Sequence, residues 1–278
     1  METKTLLRPL VWGHRGAMDF APQNTLPSFL LAQEQGADGV ELDVQLTKDG
    51  VPVVFHDARV DALTDGKGPI GALTWDQVRR LDAGFRFGAR WKGTRIPTLE
   101  EVLGTLEDRM VVNVELKTAL SEDSVWDRWR TVDFGPRPVT PHHQDRARRE
   151  AEPLAAGVAR LLTQGRAERF VLSSFDPVAL ETIGPQVPRI PLGFLHAPQV
   201  PWDTPRLMDK MTYQAWHPHH SQVTAETVAR ERGAGRRIHV WTVNDPAVAV
   251  RLARLGVDAV ITNRPGEILG ALAGVPRG

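Results

Sequence analysis

The chain has 278 residues, of which 41% are hydrophobic and 24% are charged, with 34 basic residues, 34 acidic residues and no cysteine. This composition argues against a disordered chain and excludes disulfides, a thiolate nucleophile and a cysteine-ligated metal, so any metal site must use His, Asp and Glu. Neutral net charge gives no basis for nonspecific nucleic-acid binding, whereas one or two local cations suffice for the phosphate of a small molecule.

Short apolar segments alternate with amphipathic segments along the chain. Strands are predicted at residues 10–13, 40–47, 52–56, 111–116, 170–173, 192–195, near 215, 239–243 and 259–262. Helices are predicted at residues 25–35, 99–106, 150–164, 177–183, 225–232, 246–255 and 266–272, with Asn24 capping the first and Asn263 the last. Strands alternating with helices predict a parallel α/β sheet. Periodicity leaves two architectures open, a (β/α)₈ barrel and a doubly wound open sheet.

Two segments fit neither pattern and are interpreted as insertions. The first follows the second strand and covers residues 44–95 once its hairpin is included. The second is an extended loop or lid over residues 118–149, and it carries Trp126 and Trp129. Residues 1–11 lack the apolar run of a signal peptide, and no stretch predicts a transmembrane helix. We therefore expect a single cytoplasmic domain, residues 1–278, without stable membrane insertion; the oligomeric state stays open.

Polar side chains follow the first two strands at their downstream ends, where parallel α/β folds bind ligands. His14 and Arg15 stand between two glycines and offer an acid/base group and a phosphate-binding fork. Strand alternation puts Glu41 and Asp43 on one face, about 7 Å apart. Two carboxylates there would repel each other unless a cation lies between them, and this predicts a divalent metal that binds oxygen ligands.

Three later segments supply further candidates. A tight turn at residues 47–50 would return His56 to the two carboxylates. Glu115 and Lys117 share a face of a later strand, where a third carboxylate suits Mg²⁺ or Ca²⁺ and a lysine can meet a phosphoryl oxygen. Trp241 ends another strand and is predicted to line the site.

The ordered set of motifs resembles the glycerophosphodiester phosphodiesterase family. These motifs are His14-Arg-Gly, Gln23-Asn-Thr, Glu41-Leu-Asp, His56-Asp, Thr64-Asp-Gly-Lys-Gly, Ile96-Pro-Thr-Leu, Val114-Glu-Leu-Lys, Ser173-Ser-Phe and Trp241-Thr-Val-Asn. The resemblance runs from about residue 12 to residue 265. It implies a (β/α)₈ TIM barrel with a small inserted subdomain after the second strand.

The resemblance also implies an activity and roles for single residues. Glu41, Asp43 and Glu115 would hold one divalent cation, Mg²⁺ or Ca²⁺. His14 and His56 would be the acid/base pair, and Arg15 and Lys117 would contact the phosphate; Trp241 is expected beside the substrate from its position at the end of a strand. The expected reaction is metal-dependent hydrolysis of a small glycerophosphodiester, such as glycerophosphocholine or glycerophosphoethanolamine, to sn-glycerol 3-phosphate and an alcohol.

The chain departs from the family pattern in places, and these departures leave other functions open. Gln23 replaces a glutamate that the family commonly has, which removes a negative charge near the predicted metal. The aromatic residues of the 118–149 segment would suit a lipid chain, so a lysophospholipase D-like or sphingomyelinase D-like enzyme is the main alternative. A non-catalytic barrel that binds phosphodiesters is a weaker one, because both histidines and all three carboxylates are present.

Overall fold

The computed structural model describes residues 8–118, 141–198 and 212–275. Its strands are β1 (Leu10–His14), β2 (Gly39–Leu46), β3 (Pro52–Val54), β4 (Val111–Leu116), β5 (Phe170–Ser174), β6 (Leu192–His196), β7 (Ala215–Pro218), β8 (Arg237–Val240) and β9 (Ala259–Thr262). Its helices are α1 (Leu26–Glu34), α2 (Trp75–Val78), α3 (Leu99–Thr105), α4 (Pro141–Leu162), α5 (Pro177–Ile183), α6 (Ala225–Gly233), α7 (Pro246–Leu255) and α8 (Pro265–Leu272).

The sheet closes on itself. β1 pairs in parallel with β2 on one side and with β9 on the other, and the remaining strands connect β9 to β2 in the order β8, β7, β6, β5, β4. β3 stands outside this ring and pairs antiparallel with β2. The eight parallel strands of the described residues therefore form a (β/α)₈ TIM barrel, which confirms the predicted fold and decides against an open sheet.

Local sequence signals begin and end the helices between the strands. Thr98 and Glu101 form a capping box at the start of α3. Asp176 accepts the N–H of Val178 to cap α5. α7 ends at Gly256, whose φ of 84° is the left-handed conformation typical of a helix C-terminus. These caps turn the chain sharply, so each helix runs back along the outside of the barrel.

Side-chain alternation along each strand divides the core into two layers. On β2, Val40, Leu42 and Val44 face outward and join the large core between sheet and helices. The intervening residues Glu41 and Asp43 face the barrel interior. Farther down the interior a small apolar cluster forms, with Trp12, Val171, Ala259 and Ile261 at its centre. Polar residues thus lie at one end of the barrel interior, and apolar side chains fill the interior below them.

The long helix α4 begins earlier than the sequence pattern predicts. It starts at Pro141, so residues 141–149 of the predicted 118–149 loop are helical. These residues carry polar and charged side chains, so they show no apolar period from which a helix could be predicted. Residues 119–140, with Trp126 and Trp129, lie outside the described residues. No helix within the described ranges is long and apolar enough to cross a membrane.

The chain after β2 builds a second, smaller core. Gly50 has a φ of 80° and its N–H donates to the carbonyl of Thr47, which makes the tight turn that leads into β3. This core contains Val53, Phe55, Val60, Ile70, Val78 and Ile96. The segment then rejoins the barrel at Thr98, which forms a β-bridge with Val53. This insertion therefore has a hydrophobic core of its own, and His56 lies near its start.

Candidate active site

Three buried carboxylates meet at the mouth of the barrel. Glu41 and Asp43 lie on β2 and Glu115 lies on β4, and the strand register places Asp43 directly beside Glu115. One oxygen from each of the three lies within 4.8 Å of the others. Since all three residues are at most 7% exposed, the structure concentrates negative charge where water is largely excluded.

The turn after β1 brings a first cation to this cluster. Arg15 has a φ of 51° and Gly16 a φ of 85°, and a side chain on Gly16 would collide with Ser28. This tight turn points the backbone N–H of Arg15 at Glu41 Oε2, 3.0 Å away. The Arg15 side chain turns the same way, with Nε 3.2 Å from Asp43 Oδ2. Arg15 thereby joins two of the carboxylates.

Lys117 is the second cation of the cluster. Its Nζ lies 2.9 Å from Glu115 Oε1 and 3.4 Å from Asp43 Oδ1, and its side chain is only 8% exposed. Burial disfavours the charged ammonium, but Glu115 and Asp43 outweigh this and raise the pKa of Lys117. The residue is therefore a fixed positive charge at the barrel mouth.

The two cations do not fully balance the three carboxylates. Burial, reinforced by the charges of Asp43 and Glu115, raises the pKa of Glu41 well above its usual value. Burial also raises the pKa of Glu115, although Lys117 opposes it. For Asp43 burial acts in the same direction, but Lys117 and Arg15 outweigh it and hold the pKa well below its usual value. Glu41 and Glu115 are therefore harder to ionise than usual, because Arg15 and Lys117 alone do not offset the burial and mutual repulsion of three carboxylates.

The carboxylate cluster fits a divalent cation. Glu41 Oε1 and Asp43 Oδ1 are buried and accept no hydrogen bond. An ion with metal–oxygen distances of about 2.0–2.6 Å can bridge ligand oxygens spaced as these are. The donors are all carboxylate oxygens, which suit Mg²⁺ or Ca²⁺ better than a soft metal. The residues predicted as metal ligands are therefore brought together in a way that could hold an ion.

His14 has a defined orientation at the end of β1. Its Nδ1 lies 2.7 Å from Asn263 Oδ1, and Asn263 Nδ2 donates to Asp19 Oδ1 at 3.1 Å. Because Asp19 can only accept, the amide turns its oxygen to His14, and Nδ1 carries the ring proton. Nε2 then holds the lone pair and lies 4.0 Å from Glu41 Oε2. Burial, assisted by Arg15, lowers the pKa of His14 to about 3, so the ring is neutral at neutral pH.

His56 has a different partner. Its Nδ1 lies 2.8 Å from Asp57 Oδ1, and since a carboxylate oxygen accepts, this nitrogen carries a ring proton and donates it. The Phe55 N–H donates to the Asp43 carbonyl, which places the next residue at the level of the carboxylates. Gln45 Nε2 donates to the carbonyls of Phe55 and Asp57, at 2.8 and 3.0 Å. The backbone on both sides of His56 is therefore held by one amide.

Two asparagines have roles that the sequence prediction missed. The N-cap of α1 is Thr25, so the predicted cap at Asn24 is wrong; Asn24 has a φ of 57° and donates from Nδ2 to Asp43 Oδ2 at 2.7 Å. The N-cap of α8 is Arg264, so the predicted cap at Asn263 is also wrong, and this residue instead orients His14.

Gln23 adds a further contact near the carboxylates. Its Oε1 accepts a hydrogen bond from Arg15 Nη1, which leaves the guanidinium held between Gln23 and Asp43. Only an acceptor is needed for that contact, so the neutral amide can replace a carboxylate here without losing the orientation of Arg15.

Trp241 lies on the opposite side of the mouth, just after β8. Its indole N–H donates to the His217 carbonyl at 2.8 Å, and its ring meets Phe175 edge-on at 5.5 Å. Together with Leu195 and Ala197 these rings form an apolar wall. The mouth therefore has one charged side and one apolar side.

Comparison with known proteins agrees with this geometry. A sequence profile of the "Glycerophosphoryl diester phosphodiesterase family" matches residues 14–267. A glycerophosphodiester phosphodiesterase of Caldanaerobacter subterraneus subsp. tengcongensis is 31% identical over 266 residues, covering 95% of this chain and 97% of its own.

Solved structures show the same fold. A phosphodiesterase of Oleispira antarctica, in complex with the product sn-glycerol-3-phosphate, superposes with a TM-score of 0.79 at 29% identity, covering 96% of this chain and 98% of its own. A glycerophosphodiester phosphodiesterase of Agrobacterium tumefaciens superposes with a TM-score of 0.73 at 27% identity, covering 94% and 99%.

The barrel, its mouth and these matches define a (β/α)₈-barrel enzyme of the phosphoric diester hydrolase class. The family profile matches residues 14–267, which is most of the chain, and this match establishes the family as well as the class. The chain belongs to the glycerophosphoryl diester phosphodiesterase family, and the family resemblance predicted from the motifs is confirmed.

Proposed function

We propose that this enzyme hydrolyses small glycerophosphodiesters, such as glycerophosphocholine or glycerophosphoethanolamine, to sn-glycerol 3-phosphate and an alcohol. The observation that carries the proposal is the buried cluster of Glu41, Asp43 and Glu115, with one differently partnered histidine on each side of it. The Oleispira antarctica relative was solved with sn-glycerol-3-phosphate, which supports the same product class here. The names of the relatives do not favour the lipid-specific alternative.

Glu41, Asp43 and Glu115 would hold one Mg²⁺ or Ca²⁺. Such an ion, when bound, supplies Lewis-acid stabilisation of negative charge on a phosphoryl oxygen. Arg15 and Lys117 add fixed positive charge beside the same position, and the guanidinium has five N–H donors, of which Asp43 and Gln23 engage only some.

The partners of the two histidines support opposite roles for them. His14 is neutral and offers the Nε2 lone pair, so it accepts the proton of the attacking group, either water or the neighbouring glycerol hydroxyl; in the second case water then opens the cyclic phosphate. His56 donates its Nδ1 proton to the Asp57 carboxylate, a partner that suits a general acid, and we assign His56 the proton transfer to the departing alkoxide. Trp241 and Phe175 offer an apolar wall to the carbon chain of the substrate.

The direct test is release of sn-glycerol 3-phosphate from glycerophosphocholine and glycerophosphoethanolamine by the purified chain. We expect EDTA to abolish the reaction and Mg²⁺ or Ca²⁺ to restore it. A melting temperature that rises when the ion is added back, and that does not rise in Asp43→Asn protein, would locate the ion at the cluster. Full activity in EDTA would remove the metal from the proposal, and activity on lysophosphatidylcholine alone would support the lipid-specific alternative.

A further inference from the structure

The insertion after β2 contains an ordered loop that the proposed reaction does not use. Residues 83–94, here called the aromatic loop, are closed at their neck because the Ala83 N–H donates to the Thr94 carbonyl at 2.8 Å. The buried carboxylate of Asp82 accepts the N–H of Gly84 at 3.0 Å and that of Gly93 at 2.8 Å, and thereby holds the two ends of the loop together. The loop therefore has a closed neck built from its own backbone and one buried carboxylate.

This loop holds aromatic side chains in solvent. Phe85 is 52% exposed and Phe87 is 42% exposed, and they are two of the three large hydrophobic side chains that stand out as exposed in the described part of the chain. The ring of Phe87 meets Trp91 edge-on at 6.2 Å. An apolar group that the fold keeps exposed on an ordered loop is typical of an interaction surface.

The same loop is strongly basic although the whole chain is neutral. Between residues 82 and 100 there is no acidic residue, and the exposed basic residues are Arg86, Arg90, Lys92 and Arg95. The Arg90 guanidinium lies 4.4 Å from the Trp91 ring centroid, and that of Arg86 lies 5.8 Å from the Phe85 ring. Cations therefore stand beside the exposed rings, and the one acidic residue bonded to the loop, Asp82, is buried at its neck.

We propose that the aromatic loop docks the enzyme reversibly on the surface of an anionic lipid bilayer. Aromatic rings are favoured at the depth of the lipid headgroups, and basic side chains are attracted to anionic phosphates in the same layer. A bilayer presents both features together, whereas a protein partner would need an apolar pocket surrounded by acidic groups. The charge of one sign beside the rings favours the bilayer. The inference goes beyond the proposed reaction and holds whichever diester is hydrolysed.

The first experiment is sedimentation of the full chain with vesicles of two compositions, phosphatidylcholine alone and phosphatidylcholine mixed with phosphatidylglycerol. We expect binding to the anionic vesicles, weakened by high salt, and little binding to the neutral ones. Equal binding to both compositions, or none to the anionic vesicles at low salt, would overturn the proposal.

Matched aromatic variants locate the docking surface. Phe85→Ser combined with Phe87→Ser should lower the vesicle partition coefficient by about tenfold or more, because both rings leave the headgroup layer. Phe20→Ser is the control, since Phe20 is 46% exposed on the loop after β1. It should bind as the wild type does, and an equal loss in the control would contradict docking through the aromatic loop. Unchanged melting temperature and unchanged turnover of a soluble diester would show that the variants are folded.

Matched charge variants test whether the basic residues beside the aromatic rings matter more than basic residues elsewhere in the insertion. Neutralising Arg86 and Arg90 to Gln should reduce partitioning about 25-fold, at roughly fivefold for each basic residue near an anionic surface. Neutralising Arg79 and Arg80 removes the same charge from the same insertion, but both are paired with Asp76 and should matter little. Equal losses would overturn the proposal. So would a concentration-dependent dimer that the Phe85/Phe87 variant loses while vesicles stay unbound, since that would assign the surface to a second copy of the chain.

Discussion

Two pairs of histidines point into this barrel, and their surroundings differ. His14 and His56 lie at the mouth, and each has a polar partner of its own, an amide for the first and a carboxylate for the second. His217 on β7 and His239 on β8 lie deeper and bond to each other, with His239 Nδ1 2.8 Å from His217 Nε2.

The deeper pair is packed as part of the core. The Trp12 ring lies 4.6 Å from the His239 ring. Gly193 makes room for His217, because a Cβ on that glycine would lie 2.3 Å from Nε2. Burial lowers the pKa of His217 well below its usual value and that of His239 to about 3. Both rings are therefore neutral and enclosed.

A lowered pKa does not by itself distinguish the two pairs, because His14 also has one. The difference lies in the partners. The two deep histidines bond to each other inside the packed core, whereas the two mouth histidines have unlike partners and lie next to three carboxylates, so one can accept a proton while the other donates one. Chemistry is therefore indicated by the asymmetry of the partners rather than by the pKa shift.

The largest expected effect separates the pairs by activity. His14→Ala and His56→Ala should each lower kcat by about 10²–10⁴-fold, because a positioned acid or base contributes that much. Steady-state kinetics on glycerophosphocholine with saturating metal measures it. His220→Ala is the matched control, since His220 stacks on His219 in the turn after β7 and should keep its activity. Wild-type turnover in either mouth variant would contradict the acid/base roles.

The deeper pair should instead affect stability. His217→Ala leaves a cavity and removes the hydrogen-bond partner of the buried His239 ring, so we expect a loss of about 3 kcal/mol in the free energy of unfolding. Urea unfolding measures the loss, and kcat of the folded protein should stay near the wild-type value.

Gly193→Ala adds a methyl group that collides with the His217 ring and removes no atom. It should cost about 1–3 kcal/mol through overpacking. If either deep variant kept its stability and lost kcat, the distinction between a structural pair and a catalytic pair would fail.

The sequence predicted those parts of the site that depend on local periods. The period of two along Val40–Val44 is enough to place Glu41 and Asp43 on one face, and the short turn at residues 47–50 is enough to return His56 toward them. Glu115 and Lys117 follow from the same alternation on β4. Motif order then predicted the closed barrel, which periodicity alone left open.

Contacts between residues on different strands or loops could not be predicted in this way. Asn24 and Asn263 have the composition of helix caps, and a cap is the nearest local interpretation. Their partners are far away along the chain, 19 residues for Asp43 and 249 residues for His14. The deep histidine pair was missed for the same reason, because β7 and β8 must be neighbours before its two rings can meet.

A third prediction tests the role of Asn263 directly. Asn263→Ala should lower kcat about 10–100-fold by freeing the His14 tautomer, as the loss of an orienting partner does at other sites. Asn263→Asp keeps an acceptor for the ring and should recover part of the activity. A cap of α8 would behave differently, with about 1 kcal/mol lost from stability and kcat unchanged in the alanine variant. Kinetics and urea unfolding on both variants distinguish the two outcomes.

The smallest effect concerns the pH dependence of stability. The pKa of His239 falls from 6.5 in the unfolded chain to about 3 in the folded barrel, so between those pH values the unfolded state binds the extra proton. Stability must then fall as the pH falls, and this histidine contributes about 0.7 kcal/mol of loss between pH 7 and pH 6.

His239→Gln cannot titrate, so its free energy of unfolding should decline less steeply over that interval than that of the wild type. The other titrating groups are common to both proteins, and the difference between the two slopes therefore isolates this ring. Identical slopes would mean that His239 is protonated equally in both states, and the deep pair would then not be the neutral core contact that separates it from the pair at the mouth.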